Sequence, residues 1–160
     1  FICWAGMGRF DFETRALADW MEFHNLSTRA PIALRGLFVS TSNAVAQIRS
    51  HAFVGPSGFV VLKADQKPGA NHLGLKLPAN SGSIVLADTD GTELNRVSYQ
   101  VPMAGHPVGA EGISIGRLPD GTGTVTAFPG TVSPAAPNYT APPAGPRAQG
   151  RRSWPPGSAP

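Results

Sequence analysis

Taken in steps of two, Asp19-Trp20-Met21-Glu22-Phe23-His24-Asn25 puts Trp20, Glu22 and His24 on one face and Met21 and Phe23 on the other. That alternation is the signature of a half-buried β-strand, whose successive side chains point to opposite sides. Asn25-Leu26-Ser27 then ends the pattern with turn-forming residues. Further apolar runs follow: Ile32 to Val39, Phe59 to Ala64 and Ser83 to Ala87, then Leu94 to Tyr99, Gly112 to Leu118 and Thr124 to Phe128. Phe59-Val60-Val61-Leu62 is apolar on both faces, as a strand in the middle of a sheet should be. Leu73-Gly74-Leu75-Lys76-Leu77 alternates strictly and predicts a strand with its leucines inward.

The breaks between runs are as informative. Asp90-Gly91 separates two β-prone runs, and Asp120-Gly121 separates two more. Such pairs mark hairpins, because glycine accepts the positive φ the turn needs. Ser40 to Arg49 reads as a polar loop, and residues 6–18 as a connection with no clear period, with room for one helical turn. Phe1-Ile2-Cys3-Trp4-Ala5 is either a first strand or the remnant of a signal-peptide core. Short strands broken by turns, without a convincing helix, predict an all-β sandwich. Its seam should hold Met21, Phe23, Val60, Leu62, Leu75, Ile84, Leu86 and Ile115.

Composition changes this picture at the C-terminus. Seven of the last 24 residues, from Pro137 on, are proline, and no apolar period remains. Such a stretch buries too little surface to offset its ordering entropy, so a disordered Pro/Gly/Arg-rich tail or linker is expected over 139–160. The division expected is therefore 1–18 as N-terminal strand and connection, 19–138 as the sandwich, and the tail. The formal charge of +3 is located there too. Between Asp19 and Thr140 eight basic residues balance eight acidic ones, and the excess is Arg147, Arg151 and Arg152. A neutral domain gives no strong nucleic-acid signal; weak binding through the basic tail is the residual form of that reading. Cys3, the single cysteine, excludes an internal disulfide and a cysteine-built zinc site. No run approaches the about 18 apolar residues of a transmembrane helix.

In order along the chain, several motifs resemble those of the lamin-tail domain in its bacterial form. Asp19 to Asn25 is similar to that family's D-W-I-E-L-Y-N, and Ile32 to Leu37 to its V-D-L-S-G-W. Gly58 to Asp65 resembles G-Y-L-V-V-W-A-D, Leu75-Lys76-Leu77 resembles F-K-L, and Leu86 to Thr92 resembles L-Y-D-A-D-G-T. Ser114 to Gly121 follows S-Y-G-R-Y-P-D-G, and Pro134-Ala135-Ala136-Pro137-Asn138 follows the closing P-G-A-A-N. Two departures stand out: Phe1 to Ala5 replaces a V-I-N-E-I strand, and Leu37 stands where the family has a second Trp. The resemblance implies an immunoglobulin-like β-sandwich without catalytic residues or cofactors. It also implies a module of a larger secreted or surface-associated bacterial protein, extracellular or at the cell surface. Its partners would be an unknown protein or polysaccharide, or other domains of the parent chain.

The candidate chemistry is sparse. Gly112-Ile113-Ser114-Ile115-Gly116 fits the Gly-x-Ser-x-Gly pattern, but the elbow it marks needs a following helix and later Asp and His. No His follows His106, so Ser114 reads as a strand residue and the chain as no enzyme. Asp88-Thr89-Asp90-Gly91 lacks calcium-loop spacing, leaving only weak binding by Asp65, Asp88 and Asp90 as an alternative. His24, His51, His72 and His106 are too scattered to predict a metal site. Asn25-Leu26-Ser27 and Asn138-Tyr139-Thr140 fit the N-glycosylation pattern. Glu22 reads as an exposed carboxylate paired with Arg35 or Arg117, or else as a fixed ligand contact. A possible binding surface therefore comprises Trp20, Glu22, Tyr99 and Arg117. The rival class, a carbohydrate- or polymer-binding module, would use Trp20, Tyr99 and Phe128 as exposed aromatics.

Overall fold

The computed structural model describes residues 2–11, 16–49, 53–78, 81–100, 113–129 and 133–140. Those residues contain strands and turns and no helix. The strands are β1 (Ile2–Asp11), β2 (Ala16–Asn25), β3 (Ile32–Ala33), β4 (Phe38–Ser40), β5 (Val45–Gln47) and β6 (Phe53–Val54). They continue with β7 (Phe59–Lys63), β8 (Ser81–Ala87), β9 (Glu93–Gln100), β10 (Ile113–Leu118) and β11 (Thr124–Pro129). A five-stranded sheet has the order β11-β10-β1-β2-β7, a four-stranded sheet the order β5-β4-β8-β9, and β3 pairs with β6.

Register follows from the alternation in β2. Met21 lies opposite Leu62 and Phe23 opposite Val60, so both pairs share one face. Across the other edge, Met21 pairs with Met7 of β1, and Met7 with Ile115 of β10. The four-stranded sheet contributes Val39, Ile84, Leu86 and Val97, all at most 3% exposed. These residues form one buried cluster with Met21, Phe23, Leu62, Leu75 and Ile115, while Val60 packs against it partly buried. Side chains of both sheets thus meet in a single core, the arrangement of a β-sandwich. The seam expected from the alternating pattern is present residue by residue.

Both Asp-Gly pairs close turns as expected. Gly91 has φ +87° and Gly121 φ +79°, values that disfavour any residue with a Cβ. The β8–β9 turn is closed by the Asp88 amide donating to Thr92 O at 2.8 Å and the Gly91 amide to Asp88 O at 3.0 Å. In the β10–β11 turn a Cβ on Gly123 would collide with the Leu118 carbonyl and the Pro119 nitrogen, both backbone. Gly123→Ala is therefore expected to cost about 1–3 kcal/mol, the range for overpacking a site that cannot relax, as measured by urea unfolding.

Three expectations are corrected. Residues 6–18 are not a connection: residues 6–11 belong to β1 and 16–18 to β2, leaving a short link between two strands of a hairpin. Glycine at positions 6 and 8 carries no hydropathy signal, so β1 is recognisable only through its ladders to β2 and β10. Ser40 to Arg49 includes β5 and the buried Ile48 rather than loop alone. Leu73 to Leu77 is not a strand, although Leu73 and Leu75 are fully buried. The Leu73 amide donates to Lys63 O and the Gln66 amide to Leu73 O, which ties the segment to the end of β7 without a ladder. The tail beyond Thr140 lies outside the described residues.

Candidate functional site

The face of β2 opposite the core is where the structure departs most from the pattern-based expectation. Trp20 is 5% exposed and Glu22 1% exposed. Register explains how this face is closed. Trp20 lies opposite Gly8 of β1, Gly8 opposite Ser114 of β10, and Ser114 opposite Phe128 of β11. Glu22 lies opposite Gly6, and Gly6 opposite Gly116. Glycines thus occupy the places beside Trp20 and Glu22 where a side chain would stand. Trp20 and Phe128 are buried without belonging to the central cluster, and they share one cross-strand row of the five-stranded sheet with Gly8 and Ser114. His24 completes the row by stacking on Phe59, with ring centroids 4.2 Å apart and planes within 4°.

Residues 133–138 lie against this face. The Ala135 amide donates to Glu22 Oε2. The Asn138 amide donates to Asp120 Oδ2 at 3.0 Å, and Asn138 Nδ2 to Asp120 Oδ1 at 2.7 Å and to Arg117 O at 3.1 Å. Burial pushes the Glu22 carboxyl up to about 8; the Ala135 amide pulls it down, and the nearby Asp120 pushes it up again. Burial likewise raises Asp120, against the hydrogen bonds from Asn138 and the charge of His24. At neutral pH Glu22 is therefore largely a protonated acid held beneath a turn of the same chain.

Glu22 is thus not an exposed carboxylate. Its amide partner comes from Ala135, while the Arg117 guanidinium donates to the carbonyls of Gly123 at 3.1 Å and Arg96 at 3.2 Å. Arg35 is exposed at the turn between β3 and β4. Ala135 has φ +62°, the left-handed region that glycine tolerates without cost. Ala135→Gly is expected to raise stability by about 0.5–1 kcal/mol, the relief of left-handed strain less the entropy glycine adds to the unfolded chain. Urea midpoints of the two proteins measure it.

The other sequence-derived candidates are dispersed. Tyr99 is 5% exposed and faces inward, its hydroxyl donating to Pro78 O at 2.8 Å. Burial and the charge of Asp19 push that phenol up to about 12. Trp20, Tyr99 and Phe128 are all buried, so none is the exposed aromatic that a sugar-stacking platform requires. Ser114 is 3% exposed in mid-strand. Asp65 binds His72 Nδ1 through both oxygens, at 2.9 and 3.0 Å. Burial alone would raise the Asp65 carboxyl, but the His72 and Lys67 hydrogen bonds outweigh it and hold it low. Asp88 and Asp90 serve the β8–β9 turn, where Asp90 Oδ1 accepts from the Thr92 amide at 2.8 Å. Among the described residues no three His, Cys, Asp or Glu side chains gather as a metal site would require. No helix there is long and apolar enough to cross a membrane. His51 and His106 lie outside the described residues.

Sequence reasoning missed Asn25, which it read only as a turn former. Asn25 is fully buried, and its Nδ2 faces Ala30 O at 2.9 Å, Gly55 O at 3.0 Å and Val54 O at 3.2 Å. Its Oδ1 accepts from the Ser27 amide at 2.9 Å. A side chain so engaged is no glycan acceptor in the folded state. The end of the strand motif was the available signal, since a short amide at a strand end satisfies loop backbone groups.

The chain matches no protein-family model, no curated protein and no solved structure. What it does must therefore be argued from its own residues.

Proposed function

We propose that this chain is a lamin-tail-like, immunoglobulin-like β-sandwich acting as a non-catalytic interaction or spacer module. Its setting is a larger secreted or surface-associated bacterial protein, with an extracellular protein, polysaccharide or neighbouring domain as partner. The observation that carries the reading is that the first and last motifs of the resemblance meet in space. Glu22 of Asp19-to-Asn25 accepts from Ala135 of the closing Pro134-to-Asn138 motif, and Asp120 of the Ser114-to-Gly121 motif binds Asn138. Motifs that are individually short are thereby parts of one packed unit. Ser114 supports the non-catalytic half of the reading, for a nucleophile needs an approach that a strand residue 3% exposed does not offer.

The test is an assay of the chain against a panel of ester, peptide, glycoside and phosphodiester substrates. No turnover above buffer is expected. Turnover abolished by Ser114→Ala, in a variant that keeps its urea midpoint, would replace the module with an enzyme.

A further inference from the structure

Residues 133–138 carry no charge of their own, yet they are fastened to the sheet mainly through carboxyl groups. Glu22 takes the Ala135 amide, and Asp120 takes both the amide and the side chain of Asn138. Within the segment the Ala136 amide donates to Ser133 O at 3.1 Å, so the chain turns back on itself around the Ala135 anchor.

The surroundings of Glu22 can be taken element by element. On β2, His24 shares its face and Asp19 begins the motif. On β7 the residue opposite is Val61, with Lys63 opposite Trp20. On β1 it is Gly6, with Arg9 and Asp11 at positions beyond Gly8. On β10, Arg117 is committed to the Gly123 and Arg96 carbonyls, and on β11 the position in line is Thr126. Asp120 is the carboxyl that acts on Glu22 from the turn. When both are anionic, two like charges act on one another, and Glu22, 1% exposed, has little water to screen it. One charge-assisted amide bond strengthens on ionisation, but desolvating a carboxylate beside another carboxylate outweighs it. Lifting the segment admits water to both.

We propose that residues 133–138 are a pH-gated strap, closed over β2 in acid and neutral solution and released in alkaline solution once Glu22 and Asp120 are both ionised. The proposal is independent of the role assigned to the module. Release uncovers the Glu22 row of the sheet and leaves the central core intact.

The experiment is carbon-detected NMR of the full chain from pH 6 to pH 10, following the Ala135 Cα and Cβ signals. They are expected to move from left-handed to disordered-chain positions, with the Ile84 and Leu86 methyl signals unchanged. In Glu22→Gln, which keeps an acceptor but cannot ionise, the Ala135 signals should stay fixed throughout. Ala135 signals that do not move in the parent chain, or that move equally in Glu22→Gln, overturn the strap. So does movement in step with the Ile84 and Leu86 methyls, which would be unfolding of the whole domain. If Glu22→Gln does not fold, Ala135→Gly decides: easing the left-handed backbone of the closed strap must raise the pH at which the Ala136 Cα and Cβ signals move, and an unchanged midpoint overturns the proposal.

Discussion

Asn25→Ala is expected to destabilise the fold by about 3–4 kcal/mol, among the largest effects of any polar substitution in the chain. The side chain removed donates to three backbone carbonyls and accepts one amide, all within 3.2 Å. Those partners belong to two separate places: the loop after β2, at Ser27 and Ala30, and the end of β6, at Val54 and Gly55. Alanine leaves Val54 O without its donor in a buried setting, and buried unsatisfied groups carry most of the cost. Asn25→Asp should be at least as damaging, because a carboxylate would face the carbonyl oxygens that now receive Nδ2. Asn43→Ala, at an exposed turn residue, should stay within about 0.5 kcal/mol of the parent. Urea unfolding of the three variants checks the ranking. An Asn25→Ala midpoint equal to that of Asn43→Ala would mean that the loop after β2 is held by something else.

The second large effect is on pH dependence. Glu22 loses its proton near 4.5 when unfolded and near 8 when folded. Between these values the folded state binds more protons than the unfolded one, so stability falls as pH rises. The slope is at most about 1.4 kcal/mol per pH unit. Burial of Asp120 adds to it with the same sign. Asp65 acts oppositely and at lower pH: its depressed carboxyl contributes stability above its unfolded value, which is lost in stronger acid. Urea midpoints should therefore rise from pH 8 toward pH 5 and turn down below about pH 4. In Glu22→Gln the decline between pH 5 and pH 8 should flatten, so that the variant matches the parent in mild acid and exceeds it in alkali. A parent whose midpoint is level from pH 5 to pH 8 would show that Glu22 is solvated.

These two residues also mark the boundary of what could be read in the sequence. The inward face of β2 was legible because Met21 and Phe23 alternate with polar neighbours, and alternation is a local property of a strand. The hairpin turns at Gly91 and Gly121 were legible for the same reason, a local demand for positive φ. The outward face was not. Its polar members suggested solvent, but Glu22 is covered by a residue 113 positions later, and no local pattern encodes that. Trp20 belongs with it: a glycine opposite gives the indole room against the sheet, and the pairing of Gly8 with Trp20 appears only in the ladder. Leu73 to Leu77 shows the converse error, since correct inward leucines do not guarantee a partner strand. Glu22 stood out in the sequence as a charged residue in mid-strand, Asp120 only as a turn residue and Asn138 only as part of a glycosylation pattern, and nothing local says that Asp120 and Asn138 touch.

The account stands on β2 being buried on both sides, by the core on one and by residues 133–138 on the other. An NMR titration of the Glu22 side-chain carboxyl carbon tests this most directly. A midpoint near 8 is the result expected of a carboxyl closed off beneath Ala135. A midpoint near 4.5, the ordinary glutamate value, would place Glu22 in water and contradict the packing on which the proposed module and its strap both rest.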